Sequence, residues 1–323
     1  MELTLGWKSE DMKKARAILI AGPTASGKSA LALELAERLN GVIVNADSMQ
    51  VYEELSIVTA RPDETDMVRV PHRLYGCVPA RTAYSTGDWL RAVTREIKTV
   101  TGEGRLPILV GGTGLYFKAL TEGLAQIPDI DPEVRAACRD FAEKAGVEGV
   151  RAALTGVDPE AANGLQDLQR LTRALEVVRG TGRPLVEWQK QAQAEAVLPQ
   201  ADTARLVLAP PRPWLHERIG ERAGLILRPG GLAEVEELLK QDLPASLPAM
   251  RAIGVKEARD LLTGEASFAE AAERLTVATR QYAKRQETWF RNQMGNWPRI
   301  DVAKNSSEAL ALEFLGDFER RYL

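Results

Sequence analysis

The stretch Gly22-Pro23-Thr24-Ala25-Ser26-Gly27-Lys28-Ser29 constrains this chain more than any other. It fits G-x-x-x-x-G-K-[ST] and follows a short apolar run, AILIAG at 17–22. After it, Leu31, Leu33, Leu35, Ala36 and Leu39 recur in a helical pattern until Asn40-Gly41 stops it. Strand, tight loop and helix in that order make a phosphate loop. Its backbone N–H groups and the positive end of the helix dipole attract an anion, Lys28 reaches a phosphate oxygen, and the Ser29 hydroxyl can hold Mg2+. All eight residues are candidate phosphate ligands.

Three further apolar runs read as buried parallel strands. Val42 to Val44 leads into Asn45-Ala46-Asp47-Ser48, Pro107 to Val110 into Gly111-Gly112, and Leu206 to Ala209 into Pro210-Pro211. With helical segments between them, the four runs predict the α/β class, a P-loop core with an open parallel sheet. From 126 to 198 the pattern is helical only, with Asp131-Pro132 and Asp158-Pro159 as helix starts and Thr181-Gly182-Arg183-Pro184 as a break. The expected organisation is a core of residues 1–125 and 199–323 around a helical insertion, 126–198. Helices are expected near 213–228, 231–240, 254–263 and 267–295, and the final 20 residues are expected to be loosely attached.

Composition narrows the partners. Residues are 45% hydrophobic and 27% charged over 323 positions, ordinary for a globular protein, and no apolar run approaches the length of a membrane helix. The N-terminal MELTLGWKSEDMKKAR is polar and carries no export signal, so a soluble cytoplasmic protein is expected, with monomer as the default. Cys77 and Cys138, His72 and His216 are too scattered for a zinc site. A net charge of −3 gives no overall footprint for nucleic acid, so any such partner must meet local charge. Residues 274–291 hold five basic residues against one acidic, and Arg280, Lys284 and Arg291 share one helical face; residues 165–190 hold five against three. Taken alone, either segment reads more simply as a solvated helix face.

The phosphate loop does not say whether phosphate is transferred or leaves with its ester oxygen. A hydrolysing motor would place an acidic residue at the end of an apolar strand, yet the run ending at Val110 continues as Gly111-Gly112-Thr113-Gly114. Asp47, at the carboxyl end of the second strand, stands over the same crevice as the phosphate. Further motifs follow in order: Asp47-Ser48-Met49-Gln50-Val51-Tyr52, Thr59-Ala60-Arg61-Pro62, Pro71-His72-Arg73-Leu74, LPILVGGTGLY at 106–116, and Gln169-Arg170-Leu171-Thr172-Arg173. Arg218-Ile219, Arg222, Arg251-Ala252-Ile253-Gly254 and ATRQYAKRQETW at 278–289 complete the set. Over nearly all of 17–291 the chain resembles the tRNA dimethylallyltransferases, also called tRNA isopentenyltransferases. It departs from their pattern at Val58 and Val255 and in a longer Gly230-Gly231 stretch.

The resemblance implies a P-loop NTPase-like core and a chemistry. Dimethylallyl diphosphate would donate its prenyl group to the N6 amine of adenosine 37 in tRNAs that read codons beginning with U, with Mg2+ on the diphosphate. Asp47 would take the proton, Thr113 would sit where base and donor meet, and Arg222 and Thr24 would hold the diphosphate. Ser48, Met49 and Gln50 would contact the target nucleotide. Arg135, Gln169, Arg170, Leu171, Thr172, Arg173, Arg280 and Lys284 would contact the rest of the anticodon stem-loop. Tyr282 and Trp289, seven apart, read as core rather than base-stacking residues. A small-molecule or nucleoside kinase, or an RNA-binding protein without catalysis, would share some of these features.

Overall fold

The computed structural model describes residues 15–190 and 195–322, and side chains through Phe318. The polar N-terminal stretch lies outside the described residues but for its last two. Six strands form one parallel sheet: β1 (Ala17–Ala21), β2 (Gly41–Asn45), β3 (His72–Arg73), β4 (Leu106–Gly111), β5 (Thr203–Leu208) and β6 (Arg299–Ile300). Their order is β3-β2-β4-β1-β5-β6, so the phosphate loop leaves a central strand. Register pairs Ile18 with Ile108 on one side and with Ala204 on the other. The helices before the insertion are α1 (Lys28–Arg38), α2 (Glu64–Arg69), α3 (Thr86–Gly102) and α4 (Gly114–Glu122).

Residues Glu122–Ala196 form a compact unit of their own, and the chain up to Thr121 and from Val197 forms the other. The smaller unit holds α5 (Pro132–Thr155), α6 (Pro159–Gly164), α7 (Leu168–Thr181) and α8 (Leu185–Lys190). Asp131 and Asp158 cap α5 and α6 by accepting from Glu133 N–H and Ala161 N–H, and Gly182 ends α7 in the left-handed region. Cys138, Val150, Leu154, Leu171 and Leu175 are buried among its core residues. The larger unit continues with α9 (Arg212–Ile226), α10 (Pro229–Leu239), α11 (Val255–Leu262), α12 (Phe268–Gln293) and α13 (Ser307–Tyr322).

The four inner strands β1, β2, β4 and β5 are buried on both faces, which is why their residues read as unbroken apolar runs. Ile18, Ile20, Ile43, Ile108 and Leu206 pack with Leu31 and Leu35 of α1. Leu19, Val42, Val44, Leu109 and Val207 pack with Trp89 and Val93 of α3 and with Tyr116 and Phe117 of α4. The four apolar runs are β1, β2, β4 and β5. The edge strands β3 and β6 carry no sequence signal, because two residues each are too few to show a period.

The expectation of a loosely attached C-terminus is corrected. Leu310, Ala311, Phe314, Leu315 and Phe318 form an i, i+4 stripe on α13 that is buried in the same core cluster as α1. Phe314 is 1% exposed. Phe314→Ala is therefore expected to lower unfolding free energy by about 3–5 kcal/mol in a denaturant titration. A loss below about 1 kcal/mol would mean that α13 adds little to the core.

Candidate active site

The phosphate loop turns sharply as it leaves β1. Ala25 (φ 62°) and Gly27 (φ 85°) adopt left-handed backbone, and a Cβ on Gly22 would stand 2.9 Å from Ser26 Oγ. Lys28 Nζ donates to Pro23 O at 2.9 Å. Two arginines of α9 reach the loop. Arg218 Nε donates to Ala25 O at 3.1 Å, and Arg222 Nη1 donates to Thr24 Oγ1 at 2.7 Å. Arg222 Nη2 donates to Val58 O at 3.2 Å. Its Nε and the Ser26 hydroxyl are both buried without a hydrogen-bond partner, as suits groups awaiting an anion.

Charge is concentrated here. Burial pushes the Lys28 ammonium down to about 8, opposed by the Asp47 carboxylate and reinforced by Arg222. The Arg222 guanidinium is likewise lowered by burial, with Asp47 again opposing. One carboxylate thus sits in the field of both cations. Ser29 is exposed in the first turn of α1 and offers a hard oxygen donor of the kind Mg2+ takes beside phosphate oxygens.

Asp47 is held by its own turn. Asn45, fully buried at the end of β2, accepts from Asp47 N–H at 2.8 Å and donates from Nδ2 to Asp47 O and Leu74 O, both at 3.0 Å. Asp47 Oδ1 accepts from Met49 N–H at 2.9 Å, while a Cβ on Gly112 would stand 3.3 Å from Oδ2. Thr113 Oγ1 accepts from Ser48 N–H at 2.9 Å and donates to Ser48 Oγ at 3.2 Å. Asp47, Ser48, Met49 and Thr113 are therefore brought together. Gln50 spends its amide nitrogen on Thr59 O (3.0 Å) and Ala60 O (2.8 Å), which leaves its carbonyl oxygen as the group to offer a base.

The RNA candidates divide by exposure. Arg280, Lys284 and Arg291 are exposed along α12, while Thr279, Ala283, Gln286 and Phe290 on the same helix are buried. Trp289 packs at the edge of the core under Gly114, as expected. Tyr282 is half-buried with Arg285 over its ring; burial raises its hydroxyl, and the next influence is Asp47. In the helical unit Gln169 and Arg170 are exposed, Arg173 pairs with Glu176 at 3.2 Å, and Arg135 is half-buried with an unpaired Nε. Leu171 (0% exposed) and Thr172 (8%) lie on the inward face of α7, Leu171 in the core of its own unit and Thr172 donating its hydroxyl to Leu168 O at 2.7 Å.

Three polar residues at the site went unassigned in the sequence: Asn45, Glu234 and Gln286. The Glu234 carboxylate accepts from Ser56, Ile57 and Val58 N–H at 2.9, 2.6 and 3.0 Å. Gln286 accepts from Thr24 N–H and donates to Gly112 O, each at 2.9 Å.

A P-loop NTPase-like core with a carboxylate facing its anion site is the class of protein that fold and site define. Within that class the sequence matches the family described as IPP transferase over residues 50–293, and the one described as isopentenyl transferase over 15–82. A tRNA dimethylallyltransferase of Agrobacterium fabrum is 50% identical over 287 residues, 88% of this chain and 96% of that protein. One from Rhizobium etli is 52% identical over 288 residues, with the same shares covered. The solved tRNA isopentenylpyrophosphate transferase of Bacillus halodurans is 32% identical with a TM-score of 0.66, covering 96% of this chain and 98% of its own. A eukaryotic dimethylallyltransferase acting on tRNA is 27% identical with a TM-score of 0.76, covering 93% and 79%. The chain belongs to the IPP transferase family.

Because burial disfavours its cation, Lys28 loses its proton near about 8. Pyrophosphate affinity relative to that of Lys28→Met at the same pH, measured by calorimetry, is expected to be level below about pH 7 and to fall by up to about tenfold per unit above about pH 8. Between about 8 and the ordinary lysine value the unfolded chain holds a proton that the folded chain lacks, so the Lys28 contribution to stability rises with pH in that window. An affinity ratio constant from about pH 7 to about pH 9 would place Lys28 outside the anion site.

Proposed function

We propose that this chain transfers a dimethylallyl group from dimethylallyl diphosphate to the N6 amine of the adenosine at tRNA position 37, in tRNAs that read codons beginning with U. The observation that carries the reading is the single crevice in which the Asp47 carboxylate lies in the field of both Lys28 and Arg222. A kinase would use the same loop, but membership of the IPP transferase family favours prenyl transfer over it.

The reaction forms a bond from N6 to the allylic carbon and breaks that carbon's bond to the diphosphate oxygen. N6 is a poor nucleophile because its lone pair is delocalised into the ring, so the reaction needs a positioned amine, a proton acceptor and a stabilised leaving group. Asp47 takes the N6 proton. Lys28, Arg222, Thr24, the Ser26 hydroxyl and the loop amides receive the charge that gathers on the departing diphosphate. Ser29 would hold Mg2+, which would supply further neutralisation of the diphosphate charge. Thr113 lies beside the base's turn and orients the acceptor together with Ser48, Met49 and the Gln50 carbonyl.

A stacked adenosine cannot present N6 to this crevice, and extruding it costs a few kcal/mol that protein contacts must offset. Arg280 and Lys284 on α12, and Arg135, Gln169, Arg170 and Arg173 in the helical unit, supply those contacts in this reading. It also expects a monomer working in the cytoplasm. No helix among the described residues is long and apolar enough to cross a membrane.

Labelled dimethylallyl diphosphate with Mg2+ is expected to label an anticodon stem-loop bearing adenosine at position 37 and not one bearing guanosine there. Phosphate transfer from ATP to a small acceptor, without RNA, would instead support the kinase. Arg280→Ala with Lys284→Ala is expected to weaken stem-loop binding and to reduce the slope of log affinity against log salt by about two. An unchanged slope would remove this face from the RNA interface.

A further inference from the structure

The geometry points to Gln286 as a positioning residue that ties the donor's loop to the acceptor's turn, a role that rests on the transfer reaction proposed above. Gln286 is 5% exposed on the inner side of α12. A primary amide has an accepting end and a donating end, and here each is spent on a different functional loop. Oε1 accepts from the N–H of Thr24, within the phosphate loop, at 2.9 Å. Nε2 donates to the carbonyl of Gly112, one residue before Thr113, at 2.9 Å.

Both partners lead directly to the chemistry. Thr24 carries the hydroxyl that Arg222 grips, and Thr113 carries the hydroxyl that holds the Ser48 amide. A Cβ on Gly112 would overlap Gln286 Nε2 and stand 3.3 Å from Asp47 Oδ2, so the amide, the turn and the carboxylate crowd one point. Leucine at this position could serve neither loop, and an ionised glutamate could only accept from Thr24. Losing the bridge would leave a part-buried N–H and a buried carbonyl unpaired and let two loops shift relative to each other. The first effect acts on stability, whereas the second acts on the approach of amine to allylic carbon, where a displacement of about 1 Å costs about a hundredfold in rate.

The test uses the full chain. In Gln286→Leu, kcat for stem-loop prenylation is expected to fall about 10- to 100-fold, while the affinities for pyrophosphate and for stem-loop, each measured alone, change less than about threefold. In Gln286→Glu the new carboxyl donates to Gly112 O only when protonated. Its kcat relative to wild type at the same pH should therefore rise as pH is lowered from about 8 to about 6, where a buried carboxyl takes up its proton, while the Gln286→Leu ratio stays level. Leu275→Ala, a buried change elsewhere on α12, should lower the melting temperature and leave kcat per folded molecule unchanged.

Should Gln286→Leu not fold, the pH dependence of Gln286→Glu decides alone. A Gln286→Leu kcat within about threefold of wild type, a loss fully matched by weaker pyrophosphate binding, or a Gln286→Glu ratio independent of pH would overturn the role. Wild-type protein that labels no stem-loop is a distinct result: it removes the proposed reaction, and the role of Gln286 falls with it.

Discussion

The carbonyl of Ala46 lies so close to Gly111 that no side chain fits between them, and the site depends on that approach. It continues the pairing of β2 with β4 past the strand ends: Ala46 N–H donates to Val110 O at 2.8 Å and Thr113 N–H donates to Ala46 O at 3.3 Å. The turns carrying Asp47 and Thr113 therefore leave the sheet side by side. Because β4 is also hydrogen-bonded to β1, the phosphate loop rises from the neighbouring strand end. A carboxylate and a phosphate loop are thus forced into one crevice, where the carboxylate and a bound anion would repel each other. Lys28 and Arg222 stand in the field of Asp47 and offset that repulsion, at the cost of their own desolvation.

Arg222 is aimed by a chain of contacts that begins on α10. Glu234 gathers three successive N–H groups of the 56–58 loop, that loop presents the Val58 carbonyl to Arg222 Nη2, and Nη1 is left to reach Thr24. The contact comes from the Val58 backbone, which any residue can supply. The departure from the family pattern at Val58 therefore leaves the arrangement intact. Val255, another departure, is buried in the same core cluster as Val58 and Leu275.

What could be read in advance follows from where the signal is local. The phosphate loop, β1, β2, β4 and β5 are legible because doubly covered strands require apolar runs, and Asp47 because strand ends face the crevice. Asn45, Glu234 and Gln286 left no such trace. Gln286 reaches partners 262 and 174 residues away, and its bonds go to backbone atoms that carry no side-chain pattern. Leu171 and Thr172 show how motif and periodicity can point to different faces. Both sit within a motif whose resemblance is to RNA contacts, but helical periodicity turns them to the inward face of α7, away from Gln169 and Arg170.

In the proposed reaction Asp47 acts on the amine and the phosphate loop on the leaving group, as separate parts of one crevice. Asp47→Ala tests it most directly, by single-turnover prenyl transfer beside pyrophosphate binding on the same protein. Transfer is expected to fall by about 10²–10⁴-fold, the range for loss of a general base, while pyrophosphate binds as tightly as before or more tightly, since a facing negative charge has gone. Loss of both in proportion, or transfer within about tenfold of wild type, would contradict the account.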